Sequence, residues 1–244
     1  AYVKFSRGYK AGGFNAYLIT PPYAANESLA FQPEYLNNYE AGYKGSWFDS
    51  RVSLTGSVFY DDYTNKQEAV EDPLALSITI RNAASATIYG GEFEGAVKPL
   101  RGLTLSGTLG LLHARYNSFP NGGGLGISYT GNDLPSAPSV QATLAAEYAH
   151  EFPGWAGVEG VARLEAIYQS SSFADPNNTA AYRQNPATFL NGRVGIQNPR
   201  WGLYLWGNNL TNDFHLSGGL YELVATARAV NIPRNFGVEL NFKY

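Results

Sequence analysis

The 244-residue sequence contains no cysteine and no methionine, and only 15% of its residues are charged, against about 25% in an ordinary soluble protein. The absence of cysteine excludes a disulfide framework, a thiolate zinc site and a cysteine nucleophile. With 17 Lys and Arg against 20 Asp and Glu, the sequence offers no basic surface for a nucleic acid, so we expect no nucleic-acid partner. It also lacks the run of about 18 apolar residues that a membrane-spanning helix needs.

Aromatic residues, glycines and short stretches of alternating apolar and polar residues are abundant instead. Aromatics make up 14% of the chain, and there are 27 glycines. Alternation with a period of two residues predicts β-strands with one apolar and one polar face. About ten such strands are predicted, over 1–9, 38–47, 51–61, 89–98, 103–111, 140–148, 158–168, 190–197, 201–210 and 235–244. Phe59 falls on a polar face, and the register of 201–210 stays open because Leu205 and Trp206 are both apolar.

Two architectures fit this pattern, a soluble β-sandwich and a transmembrane antiparallel β-barrel, and the lengths of the connections favour the barrel. Short links (47–50, 99–102, 152–156 and 198–200) alternate with long ones (10–33, 67–84, 117–136, 171–186 and 211–231). Outer-membrane barrels have this alternation, with short periplasmic turns and long extracellular loops. The apolar positions also carry small residues in mid-strand and aromatic residues near the strand ends, as in a lipid-facing band between aromatic girdles.

Five segments, in order along the chain, resemble TonB-dependent outer-membrane receptors. They are FSRGYKAGGFN (5–15), YEAGYKG (39–45), ATIYGGEFE (86–94), NNLTND (208–213) and the closing strand PRNFGVELNFKY (233–244). Asn212 departs from the aspartate that the family has in the fourth segment.

The resemblance implies an all-β fold, a barrel of about 22 strands with an N-terminal plug domain inside it. Residues 1–244 would then form a single region, about ten C-terminal strands, with no counterpart of the plug. The chain also begins within a strand-like alternation, which favours the C-terminal part of a longer protein. A closed barrel of ten strands is the alternative, because the even number of strands permits it.

The resemblance further implies a transporter in the outer membrane of a Gram-negative bacterium that imports a ferric siderophore or similar large solute. Energy would come from TonB through the plug. The implied partners are outer-membrane lipid and lipopolysaccharide, the plug and the remaining barrel strands, the TonB complex, and the barrel assembly machinery. A passive porin or adhesin-like barrel is the alternative function. No cofactor and no enzymatic activity are expected, since no Ser-His-Asp arrangement has supporting context.

Two groups of residues are candidate functional sites. The C-terminal strand resembles the signal by which barrels are recognised for assembly, through Phe236, Val238, Leu240, Phe242 and Tyr244. Aromatic and basic residues in the long loops are candidate contacts for an extracellular solute, namely Arg7, Lys10, Tyr17, Tyr23, Phe119, Tyr129, Tyr182, His215 and Tyr221.

The remaining polar residues do not predict a metal or catalytic site. His113, His150 and His215 lack the spacing of metal ligands. The glutamates at 92, 94, 159 and 165 lie on polar strand faces and predict a polar wall rather than a pair of catalytic carboxylates.

Overall fold

The computed structural model describes residues 1–15, 30–72, 77–82, 85–123, 126–155, 157–222 and 225–242, without the side chains of 71–72, 77–78, 217–222 and 225–228. Within these residues, strands dominate and no helix is long and apolar enough to cross a membrane. A single turn of 3₁₀ helix covers Ala180–Tyr182. The strands are β1 (Tyr2–Lys10), β2 (Gly13–Phe14), β3 (Ala30–Phe31), β4 (Glu34–Trp47), β5 (Val52–Thr64), β6 (Gln67–Asp72), β7 (Ser77–Asn82), β8 (Ser85–Leu100), β9 (Leu103–Ser118), β10 (Val140–Glu151), β11 (Glu159–Gln169), β12 (Ser172–Phe173), β13 (Arg183–Gln184), β14 (Ala187–Gln197), β15 (Trp201–Asn208), β16 (Leu216–Glu222), β17 (Ala225–Val230) and β18 (Asn235–Phe242).

Ten of these strands form one antiparallel sheet in which neighbours in space are also neighbours along the chain. The order is β1-β4-β5-β8-β9-β10-β11-β14-β15-β18. The remaining eight strands form four small hairpins inside the long connections, which were predicted only as loops. In the described residues β1 and β18 are the edges of the sheet and do not pair, so the sheet is not a closed ten-stranded barrel.

The pairing register keeps the alternating apolar positions of the strands on one face of the sheet, the apolar face, with a few exceptions given below. One row crosses six strands, from β1 to β10, and its members are Val3, Ala41, Val58, Gly91, Leu111 and Val140. A second row joins Ala162 to Val194, Val194 to Leu205 and Leu205 to Val238. The opposite face, the polar face, carries the acidic and basic side chains of the strands. The predicted alternation is thus confirmed across the whole sheet.

No second sheet covers the apolar face in the described part of the chain. Leu105, Leu144 and Val238 are 39%, 68% and 68% exposed, whereas the core of a sandwich would bury all three. The prediction of a barrel wall rather than a sandwich is therefore confirmed at these residues.

The structure also settles the two open points of the sequence pattern. Leu203 and Leu205 pair with apolar-face residues, so Trp206 lies on the polar face. Its ring lies over Gly237, where a Cβ atom would come within 2.2 Å of the ring. Phe59 also lies on the polar face, with its ring 3.0 Å from the position of a Cβ atom on Gly90. Each aromatic ring is accommodated because the neighbouring strand has a glycine at that point.

The hydrophobic core lies at the end of the sheet that carries the long connections, the long-loop end. Val70 of β6 packs there with the ends of β8 and β9 and with the connection that follows β9. The buried members of this loop core are Val70, Ala86, Ala114, Tyr116, Phe119 and Leu134. Much of the interior packing is therefore found in the long connections, and the sheet faces are largely open.

Substitutions on the two faces of β10 test this arrangement. We expect Leu144→Arg, in the middle of the apolar face, to lower the free energy of unfolding in lipid vesicles by about 2–4 kcal/mol, because arginine would enter hydrocarbon. Thr143→Arg, its neighbour on the polar face, should change the free energy much less. Denaturant titration of the protein in vesicles measures both values. Equal losses for the two variants would contradict the assignment of the faces.

Candidate functional site: the polar face and the loops above it

A group of charged and polar side chains crosses β10, β11 and β14 on the polar face. Arg163 lies between two carboxylates, with Nη1 3.5 Å from Glu147 Oε2 and Nη2 2.6 Å from Glu165 Oε2. The amide of Asn191 donates a hydrogen bond of 3.5 Å to the other oxygen of Glu165. These side chains are partly exposed, so each pair contributes little stability by itself. Together they give the face a fixed pattern of charge.

Arg193 forms a second group beside the first. Its Nη2 lies 3.1 Å from Glu239 Oε1, and its guanidinium carbon lies 3.7 Å from the centre of the Tyr204 ring, a cation–π contact. The Tyr204 hydroxyl donates to Gln197, whose amide donates to Glu159. The Nε atom of Arg193 is buried and has no hydrogen-bond partner in the described residues.

A polar cavity of about 550 Å³ adjoins the Arg193 group near the short turns, lined in part by Glu151, Glu159 and Asn241. The signal for this group in the sequence is weak, because Arg193, Tyr204 and Glu239 lie on three strands that only the sheet brings together.

Glu92 and Glu94 of β8 are the carboxylates of the polar face that stand apart. Both are exposed, and neither forms an ion pair in the described part of the chain, where Lys4, Arg163 and Arg193 are paired with other carboxylates. A cavity of about 500 Å³ beside them is lined by polar side chains of β5, β9 and β10. Both carboxylates are therefore open to a cationic partner from the interior.

A buried polar contact lies within the loop core. The Tyr116 hydroxyl donates a hydrogen bond of 2.7 Å to Glu68 Oε1, and Lys66 pairs with the same carboxylate. Burial, the charge of Glu68 and this hydrogen bond together raise the pKa of Tyr116 well above its ordinary value. The phenol therefore stays protonated and holds β6 against the end of β9.

Hydrogen bonds also join consecutive long connections to one another. Asn15, after β2, exchanges two hydrogen bonds with the backbone of Ile80 in β7. Gln67 donates to the carbonyls of Ala11 and Gln32. Farther along, Asp133 and Asn178 exchange two hydrogen bonds between the connection after β9 and the one after β11. With the Tyr116–Glu68 contact, these bonds link four connections into one continuous loop belt.

The segment at 208–213 that resembles the family is a junction between strands. Asn209 is buried, and its backbone has the left-handed conformation, with φ of 49°. Asparagine tolerates this conformation better than most residues. Its side chain accepts from the backbone N–H of Asp213 and donates to the carbonyls of Asp213 and Ile232. Asn212 accepts from the backbone N–H of Arg234. The motif thus holds the last connection in place, which accounts for these residue types.

The structure places the candidate solute contacts in different environments. Arg7 alternates with Val3 and Phe5 on the apolar face and lies over the Tyr35 ring at 4.9 Å. Lys10 lies on the polar face, opposite Glu34. Phe119 is 2% exposed and packs against Tyr116 and Tyr129 in the loop core.

The other candidate solute contacts lie in the later connections or outside the residues that the structure describes. His215 is buried, 6.2 Å from the Phe189 ring between centres, and its Nδ1 atom has no partner in the described residues. Tyr182 ends the 3₁₀ turn. Tyr17, Tyr23 and Tyr244 fall outside the described residues, as does the side chain of Tyr221. Phe236, Val238, Leu240 and Phe242 of the predicted assembly signal lie exposed on the apolar face of β18.

Groups of three or more histidine, aspartate or glutamate side chains that could hold a metal ion do not occur among the described residues. The arrangement consists instead of a charged face beneath a belt of connected loops. Such a surface is suited to holding another polypeptide or a polar solute.

Comparison with known proteins identifies the architecture. Residues 1–210 match a family model described as TonB dependent receptor-like, beta-barrel. The chain belongs to the TonB-dependent receptor family. As part of a receptor barrel of the Gram-negative outer membrane, it turns its apolar face to lipid and its polar face to the interior. The long-loop end is then extracellular and the short turns are periplasmic.

Solved structures of receptors share this fold. The ferric yersiniabactin uptake receptor FyuA from Yersinia pestis is 21% identical, with a TM-score of 0.78 over 99% of this chain and 34% of its own. The siderophore receptor PiuA from Acinetobacter baumannii is 19% identical, with a TM-score of 0.72 over 99% of this chain and 33% of its own. The copper transporter OprC is 10% identical, with a TM-score of 0.71 over 99% and 37%. The receptor chain thus spans about a third of these proteins.

The loop belt gives a test at Tyr116. We expect Tyr116→Phe to cost about 1–3 kcal/mol locally, because Glu68 loses a buried hydrogen bond, and to expose the β6–β7 hairpin to cleavage. Limited proteolysis of the folded protein, followed by mass spectrometry, measures the rate at this hairpin. Tyr60→Phe, which removes a hydroxyl on the exposed apolar face, is the matched control. Equal cleavage rates in both variants would show that the contact does not hold the belt.

Proposed function

We propose that this chain is the C-terminal part of the barrel of a transporter that imports a ferric siderophore or a similar large solute. The solute binds among the extracellular loops, and TonB supplies energy through the plug domain. The single observation that carries the proposal is the match to the receptor barrel over residues 1–210. Structural relatives named as a ferric yersiniabactin uptake receptor and a siderophore receptor support this class of solute.

The polar face is the proposed surface for the plug. Its arginines are already paired with carboxylates of the wall, whereas Glu92 and Glu94 are exposed and unpaired within the described part of the chain. We infer that basic side chains of the plug dock against these two glutamates, because unlike charges in a partly enclosed space attract strongly.

The loop belt is the proposed surface for the solute. Its hydrogen bonds join the connections above the interior, so binding at one connection is transmitted to its neighbours. Of the candidate contacts, Lys10 faces the interior at the base of the belt, where it attracts an anionic chelate. Tyr182 lies in a connection that is joined to the belt through Asn178.

Growth under iron limitation tests the proposed activity. A strain that lacks the complete gene should fail to grow on at least one ferric siderophore from a panel that supports the parent strain. Restoring the gene should restore growth and uptake of the iron-55 complex, but only in cells with a functional TonB. Uptake that continues without TonB would indicate a passive porin and contradict the proposal. If the deletion strain grows as well as the parent strain on every siderophore of the panel, ferric siderophores are excluded as the solute.

A second experiment tests the docking of the plug. The double variant Glu92→Gln and Glu94→Gln of the complete protein should weaken plug attachment and admit large antibiotics, lowering the inhibitory concentration of vancomycin several-fold. Asp49→Asn, which removes an exposed carboxylate from the short turn between β4 and β5, is the control. Heat-modifiable migration on gels verifies that all barrels fold. Unchanged vancomycin sensitivity in the double variant would contradict this assignment.

A further inference from the structure

The polar cavity of about 550 Å³ beside Arg193 lies at the periplasmic end of the interior, and we call it the Arg193 pocket. The pairing register places its lining on the polar face. One row of that face crosses β11, β14, β15 and β18 through the pocket, and its members are Glu159, Gln197, Gly202 and Asn241. The pocket therefore opens to the inside of the barrel.

Two glycines allow the Tyr204 ring to lie against the wall of the pocket. A Cβ atom on Gly195 or on Gly202 would come within 2.5 Å of a Tyr204 side-chain atom. Tyr204 is consequently 7% exposed, and the guanidinium of Arg193 lies over its ring. The pocket is hollow because the tyrosine does not project into it.

Two polar groups of the pocket lack a partner within the described part of the chain. Arg193 uses Nη2 for its ion pair with Glu239, whereas its Nε atom is buried without an acceptor. Glu159 accepts a hydrogen bond from the amide of Gln197, which carries no charge. Among the described residues, the basic side chains nearest in the sheet are paired with other carboxylates, and Glu159 has no ion pair.

These two groups define the chemistry of a ligand. The N–H of Arg193 requires an acceptor such as a peptide carbonyl, and Glu159 requires a cation such as a lysine or arginine side chain. From Gln197, the neighbour of Glu159, to Arg193 the strand rises by about 13 Å, the length of about four residues of extended chain. An extended polypeptide with a basic side chain can therefore satisfy both groups.

We propose that the Arg193 pocket binds an extended basic segment of the plug and holds it until TonB withdraws it. The plug fills the interior onto which the pocket opens, and a force that comes from TonB enters the barrel at its periplasmic end. The inference rests on the proposed function and adds the place and the chemistry of a contact that TonB breaks.

The strength of the contact suits its release. The side chain of Arg193 is 39% exposed and Glu159 is half-buried, and an ion pair in such surroundings is weak. Withdrawal of the segment leaves the wall intact, because Arg193 keeps its bond to Glu239 and its contact with Tyr204.

Photocrosslinking of the complete receptor in cells tests the proposal, with p-benzoylphenylalanine in place of Asn241. We expect a crosslink to a plug peptide that contains lysine or arginine, identified by mass spectrometry. The same probe in place of Leu240, the preceding residue on the apolar face, should give no crosslink to the plug. Glu159→Gln should lower the yield at position 241 several-fold, whereas Asp49→Asn should not. Heat-modifiable migration verifies that each variant folds.

The role of TonB is tested with the same probe at position 241. In iron-limited cells, the yield of the crosslink should be higher without TonB than with it, because nothing then withdraws the segment. Equal yields in the two strains would overturn the proposal. So would equal yields in Glu159→Gln and the parent, or a crosslink from position 241 to a solute or to another periplasmic protein.

A probe in place of Gln141, which lines the cavity beside Glu92 and Glu94, separates this proposal from the proposed function. A plug crosslink from position 141 without one from position 241 would overturn the Arg193 pocket and leave the plug inside the barrel. The absence of a plug crosslink from both positions would overturn the pocket and the proposed function together.

Discussion

The register in which the ten strands pair is the constraint on which every other feature depends. A slip of one residue would move a whole strand's apolar set to the opposite face. The described strands avoid this, since irregularities in the main sheet occur only at the two ends of the β8–β9 pair. Because the register is preserved, arginines and glutamates from β10, β11, β14 and β18 meet on the polar face.

The sequence permitted the prediction of the strands and of their faces because a period of two is a local signal. The final strand is an example, since Phe236, Val238 and Leu240 alternate without exception and lie exposed on the apolar face. The pattern failed to assign a register where both parities were apolar, as at Leu205 and Trp206. At these positions the residue on the paired strand determines which side chain lies on the polar face, because Gly237 leaves room there for the indole ring of Trp206. A single strand does not contain that information.

The structure of the loops was less predictable, again because it depends on residues that are far apart in the sequence. Aromatic residues in the connections suggested contacts for a solute, yet Phe119 is buried in the loop core and Arg7 lies on the apolar face. Composition reports that a connection contains aromatic rings, whereas their burial depends on contacts between distant segments. The hydrogen bonds that form the loop belt, such as that between Tyr116 and Glu68, join residues far apart in the chain and leave no periodic signal.

The two faces of the sheet accommodate small and large side chains in different ways. On the apolar face, a small residue leaves a space that lipid can fill, so it creates no empty cavity of the kind that destabilises a soluble core. On the polar face, large side chains are accommodated by glycines on the neighbouring strand, and charges are balanced by pairing across strands. Glu92 and Glu94 depart from that balance, although the same face pairs three basic side chains with other carboxylates. Two neighbouring carboxylates without an ion pair are the feature that basic side chains of a second polypeptide inside the barrel would complete.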